Sequence, residues 1–212
     1  MGRTKEREKI IHKPSTHEIF LCLSWMQVYA QILLNEKTNN KYSDLLAFLV
    51  NKRFYEGERD KITIKRIAAD LNTKTVDVTK WLVEIYDDIF TLNDEKPELF
   101  EGNGIKTELY FRYYDNHCGF TVWLQVLPRE FETFSFWFVK AKMGVERFWV
   151  KKVEYNIENN ITTITIWLEG GLPNRYREFA VEKALFRNDI GFMDVYQKQD
   201  FEIDDELKKM KY

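Results

Sequence analysis

Two pairs of aromatic and β-branched runs, each pair split by a few turn-forming residues, constrain this chain more than any other feature. Residues 105–114 and 120–127 flank Asp115, Asn116, His117, Cys118 and Gly119, and residues 147–157 and 161–168 flank Glu158, Asn159 and Asn160. Runs of this composition, broken by Asn, Asp and Gly, fold back as antiparallel hairpins. The carboxy-terminal half therefore contains a sheet. Between the hairpins Phe131, Phe134, Phe138 and Val139 fall at helical spacing, with Pro128 ahead and Gly144 behind, so the pattern predicts a helix there. A second helix is expected over 174–187 and a short strand over 190–196.

From Phe120 onward the order reads β, α, β, β, α, β, the split pattern of ferredoxin-like folds. An internal echo supports it: Thr121 to Leu124 followed by Leu127 and Pro128 recurs as Thr165 to Leu168 followed by Leu172 and Pro173. The amino-terminal half is helical instead. Ser15 and Glu18 form a capping box ahead of an apolar helix, and Tyr42, Leu45, Leu46, Leu49, Val50 and Phe54 repeat at steps of 3 and 4. The polar stretch over 91–104 reads as a connection. The expected class is α+β: a basic arm at 1–13, a helical domain at 14–104, a hairpin plus βαββαβ antiparallel-sheet domain at 105–199, and a charged tail at 200–212.

Charge limits the partners. With 32 basic and 34 acidic residues the net charge is −2, which excludes a protein drawn to nucleic acid or anionic lipid by its bulk field. Any such contact must come from a local patch. Residues 19–35 carry no charge, yet Ser24, Gln27, Gln31 and Asn35 line one stripe of a helix, which reads as a buried helix and not a membrane span. Two cysteines, Cys22 and Cys118, provide no disulfide framework and fit a reducing, cytoplasmic compartment.

The local patch lies between Ile64 and Leu82. Ile64, Ile67, Ala68 and Leu71 end at Asn72, Thr73 and Lys74, and Val78, Trp81, Leu82, Ile85 and Ile89 then make one continuous helical face. Ala68 and Ala69 are small where two helices would cross, Leu71 and Val78 plug the corner, and Trp81 with Leu82 anchors the second helix. This segment resembles the helix-turn-helix of winged-helix DNA-binding proteins over about residues 43–90, and to 127 if the first hairpin is the wing. The resemblance implies a second helix docked in the major groove. It would present Lys74, Thr75, Thr79 and Lys80, supported by Lys65 and Arg66, with Asp77 as a cytosine reader or a helix-dipole partner.

A second basic cluster, Lys140, Lys142, Arg147, Lys151 and Lys152, is interleaved with Phe148 and Trp149 and reads either as a nucleic-acid contact or as a solvated sheet edge. No phosphate loop, nucleophile elbow or metal-ligand pair is present in the sequence, so no catalytic residue, metal or cofactor is expected. The function expected is sequence-specific binding of double-stranded DNA, as a transcription regulator or a plasmid- or phage-type replication initiator. A homodimer or protein contact through the carboxy-terminal domain is expected beside it, and no membrane. The competing reading is a non-catalytic structural or assembly protein that uses the same helices for protein contacts. A third is a nuclease using Glu146, Asp189 or Asp194 with metal.

Overall fold

Ser15 caps the first helix as the capping box requires, its hydroxyl accepting from the Glu18 N–H at 3.1 Å. In the computed structural model, which describes residues 9–37, 41–52, 61–198 and 200–210, the uncharged stretch is two helices and not one. α1 (Thr16–Trp25) and α2 (Gln27–Glu36) meet at a break at Met26. Gln27, freed by the break, donates its amide to the carbonyls of Leu49 and Lys52, the latter at 2.8 Å, and so satisfies the end of α3 (Ser43–Asn51). Ser24 is buried and gives its hydroxyl to Leu21, while Gln31 bonds Asn35 one turn away. Within the polar stripe Gln27 is thus the residue that ties one helix to another, while Ser24 and Gln31 bond within their own helices. Among the described residues no helix is long and apolar enough to cross a membrane.

Two further helices, α4 (Ile64–Asp70) and α5 (Thr75–Glu95), complete the helical layer. Leu45, Leu46 and Leu49 of α3, Ile67 of α4, and Val78, Leu82, Ile85 and Ile89 of α5 are fully buried in one cluster. α5 runs through the start of the stretch that composition marks as a connection. Its inward positions continue to Leu92 and Asn93, and a 3-10 turn at Pro97–Phe100 then buries Phe100. Polar residues on the outer face concealed a helix whose inner face never lapses.

The protein is a mixed α and β chain, with one five-stranded sheet among the described residues. Both expected hairpins form: β1 (Ile105–Tyr113) with β2 (Asn116–Leu124), and β4 (Arg147–Glu158) with β5 (Ile161–Gly170). Asn159 and Asn160 both take positive φ, 50° and 62°, the backbone that a tight two-residue hairpin turn demands. A short β3 (Thr133–Ser135) pairs with β4, and the strand order is β2-β1-β5-β4-β3. β1 runs parallel to β5 and every other pair is antiparallel, so the sheet is mixed and not the all-antiparallel one expected.

One face of this sheet shares its core with the helices. Leu109, Phe111, Phe120, Phe148, Val150, Ile164, Ile166 and Leu168 join the helical cluster. Tyr29 of α2 and Tyr86 of α5 stand 5.0 and 5.1 Å from the Phe138 ring, and the Tyr86 hydroxyl donates to the Phe138 carbonyl at 2.6 Å. The compact units are therefore Met1–Gly171 and Leu172–Tyr212, in place of a division at 104/105. The first hairpin is no free wing, because β1 is joined to β5 along six residue pairs.

Three expected elements differ. The segment after Pro128 is not a helix: Phe131 (φ 67°) stacks on Trp149 at 5.7 Å, its N–H donates to Val150, and β3 follows. Only a 3-10 turn at Trp137–Val139 and the four-residue α6 (Lys140–Met143) are helical. Phe134, Phe136 and Phe138 alternate with period two, a strand signal that the 131, 134, 138 spacing masked. The internal echo ends there: β2 leads to this irregular segment, whereas β5 leads to α7 (Arg175–Phe186).

Residues 190–196 form no strand. Asp194 accepts from the Gly191 N–H at 3.0 Å and opens the short α8 (Asp194–Gln197). The charged tail is α9 (Asp200–Lys209), with Ile203 and Leu207 one turn apart and buried. α7 and α9 enclose the core of the second unit: Val181, Ala184, Ile190, Ile203 and Leu207. The final strand of the ferredoxin-like reading is thus absent, its place taken by helices, while β5 and α7 stand where the pattern expects a strand and a helix.

Candidate nucleic-acid interface

Thr63 starts the helix-turn-helix. Its hydroxyl accepts from the Arg66 N–H at 3.2 Å and caps α4. The helix stops where Asn72 takes a left-handed φ of 49°. The Asn72 N–H then donates to Ala69 at 3.1 Å and the Thr73 N–H to Ala68 at 2.9 Å, the paired bonds of a Schellman turn. α5 begins two residues later. Ala68 is buried where the helices meet, but Ala69 faces solvent, so a single small residue serves the crossing. Val78 plugs the corner as expected, with Leu71 half-buried beside it. Trp81 is half-buried at the margin of the cluster, leaving Leu82 and Ile85 as the central members. Lys52 reaches the Asp70 carboxylate at 3.6 Å and ties α3 to the end of α4.

Lys65, Arg66, Lys74, Thr75 and Lys80 are exposed and Thr79 is half-buried. Among the described residues no carboxylate pairs with any of these four cations. The acidic residues farther along α5 are engaged: Glu84 by Lys41 at 2.8 Å, Asp88 by Lys37 at 3.0 Å and by the Tyr42 hydroxyl, and Asp87 by Lys142 at 3.0 Å. Burial, and then the Asp88 contact, hold the Tyr42 phenol well above its usual range, so it remains a donor. Positive charge is thereby left at the amino-terminal end of α5 and neutralised toward its carboxy-terminal end.

Two features of this end escape the sequence reading. Lys74 occupies the N-cap of α5 with no side-chain bond to the first turn, so the Thr75 and Val76 N–H groups have no internal acceptor, while the Asp77 N–H already bonds the Lys74 carbonyl at 3.0 Å. Uncapped N–H groups and the positive end of the helix dipole suit a phosphate. Val76, 76% exposed, stands in the same turn. Its signal was a valine off the apolar face, of a kind that can contact a thymine methyl. Asp77 is half-buried in that same first turn, at the positive end of the helix dipole.

The second basic cluster is largely neutralised. Lys140 pairs with Glu146 at 3.0 Å, Lys142 with Asp87, Lys151 with Glu169 at 3.2 Å and Lys152 with Glu154. Lys152, and then the Trp167 N–H, hold the Glu154 carboxyl below its usual range. Arg147 is exposed at the β4 end opposite Ser135. Phe148 faces the shared core, while Trp149 is covered by Phe131. Lys140 and Lys142 stand on α6 and Lys151 and Lys152 on β4, so the cluster is divided between two elements, and most of its charge is paired within the chain.

The basic arm is pinned where it is described. Asn116 accepts from the His12 N–H at 2.8 Å and donates to the Ile10 carbonyl at 3.2 Å, and Ile10 donates to Asp115 at 2.7 Å. Arg3, Lys5 and Arg7 lie outside the described residues. Of the acids considered for metal, Glu146 is held by Lys140, and Asp194 by the Gly191 N–H and Lys198. Among the described residues no three His, Cys, Asp or Glu side chains gather as a ligand set. Comparisons with protein-family models, with curated proteins and with solved structures find no match to this chain.

Proposed function

We propose that α4 and α5 act as a helix-turn-helix that binds double-stranded DNA, with the first two turns of α5 in the major groove. The observation that carries this reading is the separation of charge along α5: unpaired cations and uncapped N–H groups at one end, and carboxylates occupied by lysines at the other. Lys65, Arg66, Lys74 and Lys80 would hold phosphates, while Thr75, Thr79 and Val76 would meet base edges. A role as a transcription regulator or replication initiator accords with such a unit. The sheet stands in this reading as the platform against which the helices are fixed.

Four phosphate contacts predict that log affinity for random duplex falls against log salt with a slope of about −3 to −4. Replacing Lys74 and Lys80 together by Ala should flatten that slope by about 2 and leave the thermal midpoint in place. An unchanged slope in the folded double variant overturns the docking. A second reading, a protein contact, is favoured by one observation: Val76 and Val83 are both exposed on α5, on either side of Lys80. It predicts weak, sequence-independent DNA binding that Val83→Glu does not alter.

A further inference from the structure

Helix α7 carries two apolar stripes. Ala180, Val181, Ala184 and Leu185 pack in the core with α9, where Arg177 donates to Asp204 at 2.6 Å. On the opposite side Leu172, just ahead of the helix, Tyr176, Phe179 and Phe186 are 92%, 89%, 66% and 88% exposed. Steps of 4, 3 and 7 place them on one line along the helix axis. Lys183 lies on the same line, and Phe192 and Met193, also exposed, extend the apolar surface of this unit. Monomeric proteins seldom leave a patch of this extent bare.

We propose that this line is a self-association surface on which two copies of the chain pair their α7 helices antiparallel about a two-fold axis at Phe179. With Phe179 opposite its own copy, Leu172 falls opposite Phe186, and Tyr176 falls within one residue's rise of Lys183 on the same line, whose stem covers the ring while its ammonium meets the π face. Arg175 and Glu182 occupy one flank of the line. In an antiparallel pair like flanks meet, so Arg175 of one copy reaches Glu182 of the other, twice by symmetry. In a parallel pair opposite flanks would meet, which places Arg175 of one copy and Glu182 of the other on different sides of the seam and out of reach. The four apolar side chains would bury on the order of 600 Å² per copy. With the flanking charges this approaches the roughly 800 Å² that each partner gives to a stable interface.

Sedimentation equilibrium of the full chain tests this without reference to DNA, so self-association and DNA binding can fail separately. The wild type should be a dimer, and Phe179→Glu, at an exposed position, should raise its dissociation constant at least ~100-fold with the thermal midpoint unmoved. Arg175→Glu and Glu182→Arg should each weaken the dimer by about 5- to 10-fold, and the two together should restore it. Under mild oxidation Phe179→Cys should form a disulfide-linked dimer that the wild type does not. A monomeric wild type, a dimer indifferent to Phe179→Glu, or a charge swap that fails to restore pairing overturns the proposal. A monomer that instead binds phosphatidylcholine–phosphatidylglycerol vesicles through Phe179 also overturns it and assigns the face to a lipid surface.

Discussion

Asn93 is a buried polar side chain at the seam between helix and sheet. Its amide donates to the Thr121 carbonyl at 2.9 Å and its oxygen accepts from the Thr121 N–H at 2.7 Å, so one side chain stands in for the missing neighbour of edge strand β2. Asn93→Ala leaves both backbone groups without a partner and should cost about 2–3 kcal/mol in urea unfolding. Asn93→Asp keeps the acceptor but turns a carboxylate oxygen toward a carbonyl. Its protonated form can donate and its ionised form cannot, so the deficit relative to wild type should shrink as pH falls below the carboxyl pKa. A deficit independent of pH would show that the amide donor is not used. Cys22 supplies a second residue-scale test. Burial pushes its thiol up to about 12, whereas an unfolded cysteine titrates near ~8.5. The raised value gives stability that is complete below ~8.5 and lost as pH rises toward 12, with a slope of about 1.4 kcal/mol per pH unit. Urea midpoints measured between neutral and alkaline pH should fall along that limb in the wild type and fall less in Cys22→Ala.

At the scale of elements, the turn between α4 and α5 depends on one backbone state. Asn72 holds φ at 49°, which glycine adopts freely and a β-branched residue does not. Asn72→Gly should therefore keep stability and DNA affinity, while Asn72→Val should cost about 1–2 kcal/mol and weaken DNA binding through the displaced α5. Circular dichroism melts beside a salt titration would read both, and a fully stable Asn72→Val would show that the turn tolerates another path. The same element was legible in the sequence because the apolar spacing of two helices and the break at Asn72, Thr73 and Lys74 agree there. Asn159 and Asn160 made the second hairpin legible for a like reason. Residues 131–143 were not, since Phe131, Phe134 and Phe138 satisfy a helical spacing while Phe134, Phe136 and Phe138 satisfy a strand's. In α9 the charge of Asp204, Asp205, Glu206, Lys208 and Lys209 hid the Ile203 and Leu207 pair. Of the candidate interface, the cations were readable as residue types, but the pairing of Glu84, Asp87 and Asp88 with lysines from other elements was not. Those contacts join residues 43 to 55 positions apart in the chain.

Over the whole molecule, the boundary between helices and sheet drawn at residue 104 fails because sequence-local patterns carry no information about which faces meet. The parallel pairing of β1 with β5 joins residues about 57 positions apart, such as Thr107 and Ile164, and no turn chemistry announces it. Its consequence is a single core in which Tyr29, Tyr86 and Phe90 from helices surround Phe120 and Phe138 from the sheet half. A fragment from Asp115 to Tyr212 lacks β1, which lies between β2 and β5, and lacks all three of those aromatic partners. It should be unfolded or aggregated. The helical fragment 14–104 should fare no better, because Tyr29, Tyr86 and Phe100 would be bared to water. Met1–Gly171 keeps every contact of the larger core and should fold alone, with dispersed amide resonances and near-ultraviolet dichroism matching that unit in the full chain. If the proposed α7 pairing holds, this fragment should also be monomeric where the full chain is dimeric. A folded Asp115 to Tyr212 fragment, or an unfolded Met1–Gly171, would show that the shared aromatic cluster is not what makes the two halves interdependent.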